Sequence, residues 1–276
     1  ALTDINPTTT KSWDKLKLHF DEMKNNTMQE MFTADPGRTE QFHIHWNDFL
    51  VDFSKNRINE ETIKLLLNLA EESGLKSAIE SYFTGEKINR TEDRAVLHTA
   101  LRAPENTEIF LDGKNIIPEI YSAKKRIKAF TDDVIAGQRK GYTGKTFTDV
   151  VNIGIGGSDL GPAMVVDSLK FYKNHLNFHF ISNIDGDHVL ETLKNLNPET
   201  TLFIIVSKTF TSLETLANAE TVRKWFLANG NGSVSSIADH FVAVTANIEK
   251  ANAFGIDSSL IFPIWDWVGG RFSLWS

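Results

Sequence analysis

Short runs of β-branched and aromatic residues alternate with amphipathic helical segments beyond about residue 117. Several of these runs are apolar on both faces, which is typical of strands that helices cover on each side. The segments between these strands are long enough for a helical crossover, which predicts a parallel sheet. The fold class is therefore predicted as α/β, a doubly wound five-stranded parallel sheet with helices on both faces. The predicted strands are 150–155, 178–182, 202–206, 241–245 and 260–264.

The earlier part of the chain has a helical pattern. Trp13, Leu16 and Phe20 recur at spacings of three and four, which places them on one helix face. Asn59 is a predicted N-cap, and Gly74 is a predicted helix end. We therefore predict a helical segment over 1–116 and an α/β domain over 117–276.

The composition excludes several classes of protein. Of the 276 residues, 41% are hydrophobic and 24% are charged, as in ordinary globular proteins. No apolar run reaches the ~18 residues of a membrane span, and the first residues do not form a secretory signal. The absence of cysteine indicates a reducing compartment, so a cytoplasmic location is expected. A net charge of −7 gives no overall attraction for nucleic acid.

A glycine-rich stretch, 154–161, follows the first predicted strand. Such a turn lets backbone N–H groups approach an anion at a helix start. Asp159 stands where a dinucleotide fingerprint has its third glycine, so a smaller polar or phosphorylated ligand is favoured. A tight turn without a ligand is the alternative. The stretch 144–146 looks like the end of a P-loop but precedes a strand, which predicts a solvated or structural loop.

The stretch 207–215, after the third predicted strand, is rich in hydroxyl groups and contains Lys208. Hydroxyls, free N–H groups and a lysine at a helix start suit a phosphate monoester. An ordinary helix cap is the alternative, but a cap needs only one hydroxyl. The spacing therefore favours a phosphate site.

The last predicted strand leads to Gly269, Gly270 and Arg271. Paired glycines allow close approach of a ligand, and an arginine can stabilise a developing oxyanion. A buried ion pair with Asp266 is the alternative. His43 and His45 would share a face of a strand, but no third ligand stands nearby, so no metal site is predicted.

Seven stretches of the chain match one protein family in order. They are 85–92 (GEKINRTE), 94–98 (RAVLH), 141–145 (GYTGK), 152–162 (NIGIGGSDLGP), 182–186 (SNIDG), 207–211 (SKTFT) and 265–276 (WDWVGGRFSLWS). On these residues the chain resembles the glucose-6-phosphate isomerase (phosphoglucose isomerase) family in its bacterial form.

The resemblance implies a sugar-isomerase (SIS) type sheet and a helical first segment that belongs to a larger second domain. It also implies an aldose–ketose isomerase of glycolysis and gluconeogenesis, without cofactor or metal, and Arg271 beside the reacting carbons. Ser212 and Asp187 stand where the family usually has threonine; the first keeps the hydroxyl. The implied sugar-phosphate ligands are Gly157, Ser158, Ser207, Lys208, Thr209, Thr211 and Ser212.

The resemblance further implies residues that this chain does not contain. The family's proton-moving glutamate and its ring-opening histidine are expected beyond Ser276, so residues 1–276 alone are expected to be inactive. The family's homodimer implies a second copy as partner, besides the small sugar phosphate. The alternative function is a non-catalytic regulatory domain of the same fold that binds a sugar phosphate.

Overall fold

The computed structural model describes residues 4–230, 233–271 and 274 of the chain. The chain forms two compact units, one that extends to Ile88 and one that begins at Asn89. Among the described residues, no helix is both long and apolar enough to cross a membrane. The second unit contains the parallel sheet.

The first unit consists mainly of helices, as the sequence predicts. The side chain of Asn59 accepts the N–H of Thr62, and Gly74 has a φ of 71° between two helices. Both residues therefore act as the helix boundaries that the sequence indicates. The helices are α1 (Lys11–Met23), α2 (Met28–Ala34), α3 (Arg38–Gln41), α4 (Glu60–Glu72) and α5 (Leu75–Thr84).

A β-hairpin interrupts this helical pattern. Its strands are β1 (His43–Trp46) and β2 (Phe49–Asp52), where the sequence pattern predicts only helices. Asn47 has a φ of 49° in the connection, a conformation that asparagine tolerates. Trp46 and Phe49 stack across the turn with ring centroids 5.7 Å apart. The turn sequence Asn47-Asp48 lacks the glycine that commonly marks a two-residue hairpin, so the signal was weak.

The second unit confirms the predicted sheet. All five predicted strands pair in parallel, in the order β6-β5-β7-β8-β9. They are β5 (Asp149–Ile153), β6 (Asn177–Ile181), β7 (Thr201–Val206), β8 (Phe241–Thr245) and β9 (Ile261–Pro263), preceded by a short hairpin of β3 (Phe110–Leu111) and β4 (Lys114–Asn115). The helices are α6 (Ile117–Ile135), α7 (Gly157–Ser168), α8 (Gly186–Leu193), α9 (Leu213–Asn229), α10 (Ile237–His240) and α11 (Ile248–Phe254).

The central strands bury side chains on both faces. Ile153 and Phe203 lie on one face, Val150 and Leu202 on the other, and all four are buried in one continuous hydrophobic core. Burial of each such side chain contributes about 1.5–3 kcal/mol relative to exposure. The sheet is therefore a rigid frame for the loops that follow its strands.

A buried histidine fixes the amino edge of the sheet. The Nδ1–H of His240 donates to the Thr201 carbonyl (2.7 Å), and the Tyr142 N–H donates to Nε2 (3.1 Å). Burial lowers the pKa of His240, and only the neutral ring can make both bonds. A Cβ on Gly141 would lie 2.5 Å from Nε2, so this position requires glycine. The stretch 144–146 continues this structural loop, where Lys145 forms an ion pair with Glu199.

The sheet unit begins ahead of the boundary at 116 that the sequence predicts. Residues before 117 pack with the last part of the chain, and the Leu97 N–H donates to the Trp267 carbonyl (3.0 Å). The second hydrophobic cluster comprises Ala95, Leu97, Ala100, Ile116, Ile117, Ile120, Trp267 and Val268. Apolar contacts distant in sequence therefore join 89–116 to the sheet unit, while the assignment of 1–116 to a larger domain stays a prediction.

Candidate functional site

The carboxyl ends of β5 and β7 lie side by side in the sheet, with Ile153 opposite Ile205. From β5 the chain crosses to β6 on one side, whereas β7 and the following strands lie on the other side. Ligands of doubly wound sheets bind in the crevice at such a change of direction. Two loops flank this crevice, 154–156 after β5 and 207–212 after β7.

The turn after β5 is compact because glycines form it. A Cβ on Gly154 would lie 2.8 Å from the Ser158 Cβ, and Gly156 has a φ of +61°. The Gly154 N–H donates to the Ile181 carbonyl of β6 (3.2 Å), which holds the turn against the sheet. Gly157 and Ser158 begin α7 and are half-buried there.

Asp159, the acid that argues against a dinucleotide, is buried behind this turn. Only 8% of its surface is exposed, and its Oδ1 has no hydrogen-bond partner among the described residues. Burial raises the pKa of Asp159, while His188 and the Ser182 hydroxyl favour the charged form. The side chain is therefore a packed group and not part of an open anion site.

The loop after β7 exposes Thr209 and Thr211, whereas Ser207 is buried, and its central residue is anchored in the core. Phe210 is buried and takes a φ of 52°, which turns the chain around it. Thr209 and Thr211 on either side are exposed, with their hydroxyl oxygens 2.6 Å apart. The Ser207 and Ser212 hydroxyl oxygens lie 3.4 Å from each other. Four hydroxyls are thus gathered at the start of α9.

The N-terminus of α9 has no side-chain cap. Ser212 occupies the N-cap position, but its hydroxyl accepts no N–H of the helix. Thr215 in the first turn is buried, and its Oγ1 has no hydrogen-bond partner among the described residues. Uncapped N–H groups and the helix dipole together favour an anion at this point. The Ser212 hydroxyl therefore does not act as the ordinary helix cap that was the alternative to a phosphate site.

Lys208 joins this loop to the last segment of the chain. Its ammonium donates to the carbonyls of Asp266 (2.8 Å) and Val268 (2.7 Å). Two of its three N–H groups are thereby used, which leaves one for a ligand. Partial burial and the charge of Arg94 lower the pKa of Lys208, against the opposing effect of Asp266 and Glu92. A single lysine therefore contacts both parts of the predicted site.

Arg271 lies at the end of the segment that Lys208 holds. Its side chain is exposed, so it does not form the buried ion pair with Asp266 that the sequence left open. Asp266 instead lies 3.8 Å from the Arg94 guanidinium. Four residues of the matching 265–276 stretch lie outside the described residues, namely Phe272, Ser273, Trp275 and Ser276.

The fold brings all seven predicted sugar-phosphate ligands to the loops that flank one crevice. Ser207, Lys208, Thr209, Thr211 and Ser212 form one loop, and Gly157 and Ser158 follow the neighbouring strand. Thr215 lies in the stretch 207–215, but the sequence alone assigns it no role. Its spacing of three from Ser212 places it in the same first helical turn, which is a signal that the sequence contained.

Three comparisons with known proteins agree. The phosphoglucose isomerase family model matches residues 52–276. The glucose-6-phosphate isomerase of Christiangramia forsetii is 61% identical over 275 residues, which cover 100% of this chain and 50% of that protein. The crystal structure of a glucose-6-phosphate isomerase from Chlamydia trachomatis matches 98% of this chain and 50% of its own, with a TM-score of 0.78 and 27% identity.

The chain thus spans about half the length of the relatives that it matches. The family model covers most of the chain, including both loops of the crevice and the segment that leads to Arg271. The fold of the chain matches a solved structure of this kind. The chain belongs to the phosphoglucose isomerase family.

Proposed function

We propose that the full-length protein containing this chain interconverts glucose 6-phosphate and fructose 6-phosphate. The observation that carries the proposal is the loop 207–212, which holds four hydroxyl residues and Lys208 directly before the uncapped N-terminus of α9. A phosphate monoester is a dianion that requires several donors at once. The loop supplies hydroxyls, an ammonium and a helix dipole in one place.

The phosphate is proposed to bind remote from the reacting carbons. Ser207, Thr209, Thr211 and Ser212 would donate their hydroxyls, and Lys208 would give its remaining N–H. The neighbouring turn at Gly157 and Ser158 would support the sugar phosphate from the other side of the crevice. Binding energy from such a remote group orients the reacting atoms.

Arg271 is the proposed catalytic cation. Aldose–ketose isomerisation moves a proton between C1 and C2 and forms an enediolate oxyanion. A guanidinium remains charged at all working pH values and can stabilise that oxyanion. Because Lys208 holds the carbonyls of Asp266 and Val268, phosphate anchoring and the placement of Arg271 are linked. The base and the ring-opening group are expected outside residues 1–276.

The family resemblance supports the remaining features of the proposal. The reaction is a proton transfer, so the proposal includes no cofactor and no metal. The full-length protein is proposed to act in glycolysis and gluconeogenesis as a cytoplasmic homodimer. Its partners would be the sugar phosphate and a second copy of itself, with neither nucleic acid nor a membrane.

The phosphate anchor is tested by Ser212→Ala in the full-length protein. Loss of one hydrogen bond to a charged group is expected to raise KM by about tenfold, with kcat changed little. A ground-state anchor stabilises substrate and transition state alike, so only binding weakens. Steady-state kinetics with fructose 6-phosphate measure both constants.

Ser258→Ala is the matched control for this test. The Ser258 hydroxyl is exposed and donates to Asn252 Oδ1 (3.0 Å) in the connection before β9. Its loss is expected to leave KM unchanged. If both variants had the KM of the wild type, Ser212 would not be a ligand of the phosphate.

A further inference from the structure

Asn152 is a buried polar residue in the apolar central strand β5. It is 9% exposed, and its strand neighbours in register are Phe180 and Ile204. A buried amide is costly unless it forms hydrogen bonds. Its Nδ2 donates to the Ser158 carbonyl at 3.1 Å. The side chain thus connects the middle of the sheet to the first turn of α7.

The Ser158 carbonyl needs this donor because of a proline. In an α-helix the carbonyl of residue 158 would accept the N–H of residue 162. That residue is Pro162, which stands inside α7 and has no N–H. The Asn152 amide therefore takes the place of the missing helical donor.

We propose that Asn152 is a positioning residue, which sets the Ser158 turn for sugar-phosphate binding. The inference rests on the proposed function, because Ser158 is a proposed ligand there. Ser158 packs so closely against Gly154 that a Cβ at position 154 would not fit, and this contact confines Ser158 on one side. The hydrogen bond from the Asn152 amide fixes Ser158 at its backbone carbonyl. Without that bond the first turn of α7 would be free to shift relative to the loop 207–212.

The chain offers a matched control in Asn218. This asparagine is also buried, and its Nδ2 donates to the Asn183 carbonyl at 2.8 Å. Asn183 lies in the loop after β6, outside the proposed ligands. Asn152→Leu and Asn218→Leu thus remove the same kind of bond from two loops, of which one is proposed to bind substrate.

The experiment measures KM and kcat for fructose 6-phosphate in the full-length protein. Asn152→Leu is expected to raise KM by about tenfold at nearly unchanged kcat, while Asn218→Leu keeps the wild-type KM. A purely structural role would destabilise both variants and leave KM alike in both. That result would overturn the proposal.

A rescue variant tests the role of Pro162 and shows whether the effect of Asn152→Leu comes from misfolding. Pro162→Ala restores an N–H that the Ser158 carbonyl can accept. The double variant Asn152→Leu/Pro162→Ala is therefore expected to fold and to regain a KM within about threefold of wild type. A folded double variant with the KM of Asn152→Leu, or a double variant that does not fold, would contradict the assignment.

The outcomes separate this inference from the proposed function. A wild-type full-length protein that does not isomerise fructose 6-phosphate contradicts the proposed function. Normal wild-type turnover, with Asn152→Leu indistinguishable from Asn218→Leu, contradicts the positioning role alone.

Discussion

Arg271→Lys in the full-length protein is expected to lower kcat by about 10²–10³-fold, while KM changes little. Lysine keeps the positive charge but loses the planar fork that can contact an oxyanion and a carboxylate together. The proposed phosphate anchor at 207–212 is separate from this residue, so substrate binding is retained. Steady-state kinetics in both directions of the reaction measure the effect.

Arg126→Lys is the control for this substitution. Arg126 donates to the carbonyls of Ser259 (3.1 Å) and Ile261 (3.0 Å) at the start of β9. Its replacement is expected to change stability but neither kinetic constant. If Arg271→Lys raised KM strongly at unchanged kcat, Arg271 would be a ground-state ligand of the phosphate and not the proposed catalytic cation.

Lys208→Met is expected to affect both constants. Loss of a charged hydrogen bond to the phosphate raises KM by about 10²-fold. The carbonyls of Asp266 and Val268 also lose their donor, so the segment that leads to Arg271 is no longer held. We therefore expect kcat to fall by about tenfold as well, because misplacement of a catalytic group slows the chemical step. Ser212→Ala, by contrast, changes KM alone.

The control for Lys208 is Lys145→Met. Lys145 forms an ion pair with Glu199 at the amino edge of the sheet, away from the crevice. Neither KM nor kcat should change in this variant. A Lys208→Met protein with altered KM and normal kcat would show that the contact with Asp266 and Val268 does not place Arg271.

The parallel sheet could be predicted because each strand is a short run of apolar residues that are consecutive in the sequence. Residues such as Ile153 and Ile205 are apolar on strands that helices cover on both faces, so the pattern itself indicates burial. The hairpin at Asn47 was missed because its strands are four residues long and its turn lacks glycine. The compact unit that holds the sheet begins at Asn89, because contacts such as Leu97 with Trp267 join distant parts of the sequence and no local pattern indicates them.

The part of the candidate site that lies in one continuous stretch of sequence could be predicted. The hydroxyl run around Lys208 is local, and the sequence alone indicates its chemistry. The contacts of Lys208 with Asp266 and Val268 link residues far apart in the chain, so no local pattern indicates them. Asn152 is a similar case, since its role depends on a carbonyl that Pro162 leaves without a helical donor.

The most direct test is the turnover of fructose 6-phosphate by the purified full-length protein. Glucose 6-phosphate is detected by coupling its formation to a dehydrogenase. We expect rapid conversion when the isomerase receives no added metal or cofactor, and no conversion by residues 1–276 alone. Binding of fructose 6-phosphate without conversion by the full-length protein would contradict it and favour a regulatory sugar-phosphate domain.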